Sequence, residues 1–206
     1  MKDCGVCMKK KLILVAAPPA CGKTYVSERI AQAVPHIVYL DKDDLSNLVR
    51  ASFAVAGQEL NMDGDFYKEN IRAAEYETLM KIAFSTLRFA DYVLVNAPFG
   101  TEIRDTAYMK ALKDKANKSG AELLLIWVTA PLGLCYERMK NRNSDRDSLK
   151  LKDWESYVKK INYDPPSALK SAEAVDRFLV FDNKDSDTLR QSLEEVLEMI
   201  LGAEKG

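Results

Sequence analysis

Residues 11–24 read Lys-Leu-Ile-Leu-Val-Ala-Ala-Pro-Pro-Ala-Cys-Gly-Lys-Thr. An apolar run ends in two prolines, and a glycine, a cation and a hydroxyl follow at once. The run 11–16 is apolar almost throughout, which predicts a strand covered on both faces, as in a parallel sheet. Residues 23–34 carry a helical pattern, so strand, tight turn and helix succeed one another. Ala17 to Thr24 matches GxxxxGK[ST] except at the first position, where Ala17 stands for Gly. Alanine fits there if its φ is negative. Gly22 lets the backbone bend and approach a ligand where a side chain would clash. The N–H groups of residues 20–25 would then point inward as an anion nest at the positive end of the helix. Lys23 is a flexible point charge able to reach β- and γ-phosphates. Thr24 offers a hard hydroxyl oxygen suited to Mg²⁺. The expected ligand is ATP with Mg²⁺, held by Ala17, Pro18, Pro19, Ala20, Cys21, Gly22, Lys23, Thr24 and Tyr25. Cys21 reads as a small filler residue. Helix N-termini also lower thiol pKa, so a redox role stays open.

Working outward, four further apolar runs predict strands at 37–40, 92–96, 123–129 and 178–181. Helical patterns at 43–56, 65–90, 102–119, 131–141 and 187–201 lie between or after them. Strand and helix alternate, so the class is α/β with right-handed crossovers. Ligands of such sheets sit beyond the carboxyl ends of the strands. The second strand ends in Tyr39-Leu-Asp41-Lys-Asp43-Asp44. A carboxylate here can take the proton of a hydroxyl attacking the γ-phosphate. Asp43 is the favoured base and Asp41 stands close behind it. Asp43 or Asp41 also joins Thr24 as a candidate Mg²⁺ ligand, while Asp43 and Asp44 would equally cap the next helix. The third strand ends in Asn96, where a Walker B site would carry Asp.

Residues 138–163 are charge-dense and interrupt the alternation, and they are read as a helical lid. Arg138, Arg142 and Arg146 recur every four residues and share one face. Such a face could close over ATP and stabilise developing charge, with Arg142 taking a catalytic part. Interleaved Glu137, Asp145 and Asp147 also fit an ordinary solvated face. Asn183, after the fifth strand, is expected beside the adenine.

The chain has 206 residues, apolar 47% and charged 30%, enough for one domain with a proper core. Residues 11–206 are taken as that domain and 1–10 as a disordered extension. A net charge of −1 supplies no global field for nucleic acid or anionic membrane. Cys4 and Cys7 have CxxC spacing without a second pair. His36 is the only histidine, which leaves little for a zinc site. Lys9-Lys10-Lys11 before an apolar run resembles a secretory leader, but the run reaches Pro18 within six residues. That falls short of the roughly 7–15 such leaders use. The expected location is cytoplasmic.

APPACGKT, YLDKDDL, VLVNAPF, ERMKNRNSDRDSLKLKDWESY and FLVFDN occur in an order that resembles the small AAA_33-type P-loop kinases. That group includes zeta-toxin-like kinases and the kinase domain of polynucleotide kinase. Shikimate, gluconate and adenylyl-sulfate kinases are more distantly similar. The resemblance spans residues 11–183. It implies a P-loop NTPase three-layer sandwich whose five-stranded parallel sheet is ordered 2-3-1-4-5, with a helical lid. It also implies that Asp43 deprotonates the acceptor and that lid arginines clamp ATP. An arginine that often follows the acid pair is replaced by Ser46, with Arg50 one turn further on. That departure and Asn96 weigh against a polynucleotide acceptor. The expected activity is transfer of the γ-phosphate of ATP to a hydroxyl of a small metabolite, nucleoside or nucleotide-sugar. A polynucleotide 5′-hydroxyl kinase and a non-catalytic ATP-binding module are the alternatives.

Overall fold

The computed structural model describes residues 9–142, 145–170 and 173–202. Cys4, Cys7 and the rest of residues 1–8 lie outside them. Five parallel strands, β1 (Lys10–Ala16), β2 (Ile37–Asp41), β3 (Tyr92–Asn96), β4 (Ala121–Thr129) and β5 (Arg177–Asp182), form one sheet ordered β2-β3-β1-β4-β5. The expected order 2-3-1-4-5 is observed.

The sequence pattern explains why β1 is central. Leu12, Leu14 and Ala16 face one core, with Tyr76, Leu79, Met80, Met109 and Leu112. Ile13, Val15 and Ala17 face the other, with Val26, Ile30, Cys135, Val196 and Ile200. Successive side chains of a strand point to opposite faces, so an all-apolar run serves two helical layers. One layer contains α4 (Arg72–Thr86) and α5 (Thr106–Lys118). The other contains α1 (Lys23–Ala33), α6 (Leu132–Arg142) and α9 (Ser186–Leu201). The Lys11 ammonium lies under the end of α9 and donates to Ile200 O at 2.6 Å, a cation on the negative pole of a helix.

Three helical expectations are refined. The pattern at 43–56 opens as a 3₁₀ turn, Lys42–Leu45, before α2 (Ser46–Val55). Asp41 caps that turn by accepting from Asp43 N at 2.9 Å. The pattern at 65–90 is two helices, α3 (Asp65–Asn70) and α4, broken at Ile71 with φ −120. The break lets Tyr67 fold back and donate its hydroxyl proton to Glu75, which also pairs with buried Lys42 at 2.9 Å. At 102–119, Asp105 caps α5 by accepting from Ala107 N and Tyr108 N. Residues 102–104 therefore form a separate turn. After α6, two short helices follow: α7 (Asp145–Lys152) and α8 (Trp154–Lys160). Among the described residues no helix is long and apolar enough to cross a membrane.

Candidate active site

Strand register decides which side chains meet. Val15 and Asp41 are both paired with Asn96, so the ends of β1, β2 and β3 converge on one amide. Asn96 is fully buried. Its Oδ1 accepts from Lys23 Nζ and from Ser27 Oγ at 3.1 Å. Its Nδ2 donates to Asp41 Oδ2 at 2.5 Å and Tyr39 OH at 2.9 Å, and lies 3.4 Å from Thr24 Oγ1. The departure from a Walker B acid thus has a physical reason. A carboxylate at 96 would face that of Asp41 at hydrogen-bond distance, and like charges so close disfavour joint ionisation. The negative charge sits one strand over, on Asp41.

Asp41 and Asp43 differ sharply. Asp41 accepts from Asp43 N with one oxygen, and from Tyr39 OH at 2.8 Å and Asn96 with the other. Asp43 is exposed, and its carboxylate has no hydrogen bond or ion pair among the described residues. Both carboxylates act on Lys23. Burial pushes the Lys23 ammonium down to about 8, against the opposing pull of Asp41 and Asp43. Tyr39 is raised by burial and by its bond to Asp41.

The turn 17–24 is held from behind. Gly22 adopts φ 90, and a Cβ there would lie 2.2 Å from Asn183 Nδ2, so only glycine fits. Asn183 Nδ2 donates to Cys21 O at 2.8 Å. Arg138 Nη1 donates to Cys21 O at 3.2 Å, and its Nη2 to Asn183 O at 3.1 Å. Tyr163 OH donates to Pro19 O at 3.4 Å. The Pro19 and Cys21 carbonyls of the turn are thereby satisfied by protein. The first bond of α1 runs from Val26 N to Gly22 O, so the preceding N–H groups are not used by the helix. Ala20, at φ 63, completes the bend.

Several expected site residues therefore lie together: Lys23, Thr24, Asp41, Asp43 and the turn itself. Arg138 and Asn183 reach the turn through its backbone. Tyr25 is exposed, with the Arg29 guanidinium 5.0 Å over its ring. Arg142 is bound to its own segment, pairing with Asp147 at 2.5 Å. Arg146 is in α7, but its side chain lies outside the described residues. Ser27 and Tyr39 were missed. Ser27 is one turn after Lys23, and Tyr39 is two residues before Asp41 on the same face of β2, so both spacings were available. Among the described residues no group of three His, Cys, Asp or Glu could hold a metal. An open groove of ≈ 570 Å³ lies between the edge strand β2 and α4, lined by Val38, Ile82 and Phe89.

A strand–turn–helix anion cradle with the sheet order 2-3-1-4-5 defines a P-loop NTPase. The family model of the AAA domain AAA_33 matches residues 12–162, and the chain belongs to that family. Solved structures share the fold. A candidate kinase from Chloroflexus aurantiacus is 18% identical with TM-score 0.62, covering 92% of this chain and 98% of its own. A gluconokinase from Sinorhizobium meliloti is 16% identical with TM-score 0.54, covering 94% and 95%. The Mycobacterium tuberculosis APS kinase, solved with AMPPNP and APS, is 18% identical with TM-score 0.54, covering 94% and 99%. No curated protein sequence is significantly similar.

Proposed function

We propose that this chain is an ATP-dependent kinase that moves the γ-phosphate of ATP to a hydroxyl of a small polar metabolite, nucleoside or nucleotide-sugar. The observation that carries the reading is an exposed, unpaired Asp43 carboxylate beside a partly desolvated Lys23, at the mouth of the amide-lined turn. The similar folds of a gluconokinase and an APS kinase, whose names denote small polar acceptors, support that substrate class.

The triphosphate lies along the N–H groups that precede Val26. Lys23 leaves the Asn96 oxygen for the β- and γ-phosphates, and Ser27 remains as the partner of that oxygen. Asp43 accepts the proton of the acceptor hydroxyl as its oxygen approaches the γ-phosphorus. Asp41 is occupied by three donors, so it fixes Asn96 and the Asp43 backbone and does not move a proton. A hydroxyl and a carboxylate suit a hard cation held mostly by substrate oxygens and water, so Thr24 with Asp43 would hold Mg²⁺, which supplies charge neutralisation at the phosphates. Residues 138–163 act as a lid: Arg142 exchanges Asp147 for the nucleotide and water is excluded. Arg138 serves the same nucleotide by holding the turn, and Asn183 does so beside it. The location proposed with this activity is cytoplasmic.

The test is a metabolite-library screen for ATP consumption, with mass detection of the phosphorylated product. A product made by the wild type and lost in Asp43→Asn supports the proposal. Equal transfer by both proteins refutes the role of Asp43. Slow hydrolysis with no phosphorylated acceptor points to a binding module.

A further inference from the structure

Cys21 lies within the phosphate turn, and Cys135 lies on α6 beneath it. Their Sγ atoms are 3.7 Å apart, and both residues are essentially inaccessible, at 1% and 0% exposure. No other pair of thiols is recorded among the described residues. The catalytic proposal uses neither sulfur. We propose that Cys21 and Cys135 form a reversible disulfide that disables the phosphate turn, making the pair an oxidation site that governs nucleotide binding. The effect on nucleotide rests on the phosphate-turn reading, whereas formation of the bond does not.

The argument is geometric. A disulfide needs sulfurs about 2.05 Å apart, so the pair must close by well over an ångström. Cys135 is fixed in a regular helix, its N–H bonded to Pro131 O at 3.0 Å. Both side chains pack among Val15, Val26, Ile126 and Phe181, which restrict rotation in place. Closure is therefore taken up by the turn. Cys21 is flanked by Ala20 at φ 63 and Gly22 at φ 90, and its carbonyl is gripped by Asn183 and Arg138. Drawing Cys21 toward α6 carries the adjoining Gly22 and Lys23 N–H groups away from the anion. The bond to Cys21 holds the Cys135 thiol below its ordinary value, and Arg138 adds to this. Arg138 favours the thiolate of both sulfurs, so either can attack first and the sum of the steps is the same.

With hydrogen peroxide as oxidant, and Cys135 attacking first, the steps balance. The Cys135 thiolate attacks one peroxide oxygen, the O–O bond breaks, and hydroxide leaves and is protonated to water. The Cys135 sulfenic acid is then attacked by Cys21 sulfur as Cys21 gives up its proton. The S–O bond breaks, the S–S bond forms, and a second water leaves. Two thiols and one peroxide become one disulfide and two waters, and a dithiol reverses the bond by exchange. Linkage requires the converse: bound nucleotide, which holds the turn open, opposes closure by the same factor.

The experiment uses the full chain carrying Cys4→Ser and Cys7→Ser, treated with hydrogen peroxide, acid-trapped and alkylated. Peptide mass spectrometry reads the link, and calorimetry reads the Kd for MgATP. The expected result is a Cys21–Cys135 cross-link with Kd raised roughly 5–150-fold, the usual range of coupling between sites. Dithiothreitol should restore the Kd, and saturating MgATP should slow cross-linking. Cys135→Ala should bind MgATP like the reduced parent before and after peroxide. Failure of the link to form in excess peroxide overturns the proposal, as does a link that leaves the Kd unchanged. A reduced parent that never binds ATP strikes the phosphate-turn reading instead, and the cross-link still decides whether the thiols pair.

Discussion

The floor of the site and the segment 138–163 handle charge in opposite ways. On the floor, one buried amide gathers Lys23, Ser27, Tyr39 and Asp41, so each polar group has a fixed partner before any ligand arrives. In the segment above, Arg142 and Lys150 converge on the acid of their own segment, Asp147, whose carboxyl is almost inaccessible. The floor is preorganised, as transition-state stabilisation demands. The segment keeps Arg142 on an internal partner that a nucleotide could replace, while Lys150 also reaches Asp63 at 3.5 Å. The comparison teaches that the two parts must respond differently to substitution, and the following experiments press on that difference.

The largest effect is expected on the floor. Lys23→Ala should lower kcat/KM for ATP by roughly 10³-fold, on the scale of a lost phosphate or oxyanion donor. Steady-state kinetics with the acceptor found by screening reads it. A fall of less than tenfold would mean that the floor is not where charge develops. Asp43→Asn should cut kcat by about 10²–10⁴-fold, the range of general base catalysis, while calorimetry shows that ATP still binds the turn.

Arg142→Ala separates floor from segment. The pair with Asp147 is 40% exposed on the arginine side and 1% on the aspartate side; Lys150 Nζ, 3.8 Å from the same carboxyl, remains to offset that buried charge when Arg142 is removed. The expected signature is a fall in kcat of about tenfold with Tm shifted little. A large drop in Tm with unchanged kcat would make the arginine structural, and the contrast between floor and segment would fail.

The floor also carries a pH dependence. The charged form of Lys23 binds the triphosphate, and its value in the free protein is about 8. ATP affinity should therefore be flat around neutrality and weaken as pH rises through about 8. Phosphate groups, with a second pKa of about 6, are already ionised there. Lys23→Arg should remove the alkaline weakening, because a guanidinium stays charged. The smallest effect in activity, but a clear one in stability, is expected from Asn96→Asp. Thermal melts should show a loss of about 1–3 kcal/mol, the cost of an unsatisfied buried group, and acid should partly restore stability by neutralising one of the facing carboxyls.

Much of this was legible in the chain. The run Leu12–Val15 announced a doubly covered strand, and GKT after it announced the turn. The sheet order came from the resemblance, not from periodicity. Helix boundaries were legible only in part. Ile71 fits a helical pattern, and the break there lets Tyr67 turn back onto Glu75, which also takes Lys42, 33 residues away, a tertiary demand no local window contains. Asn96 looked like a weakened Walker B position. Its meaning emerges only when register sets it against Asp41, fifty-five residues away. Cys135 carried no signal at all, because only the fold brings α6 beneath the turn.

The central claim is that the turn between β1 and α1 binds a triphosphate through its free N–H groups. A crystal structure with MgAMPPNP tests it most directly. The account predicts the β- and γ-phosphates against residues 22–25, with Lys23 Nζ moved from Asn96 Oδ1 onto a phosphate oxygen. Density for the analogue anywhere else, with Lys23 still on Asn96, would contradict it.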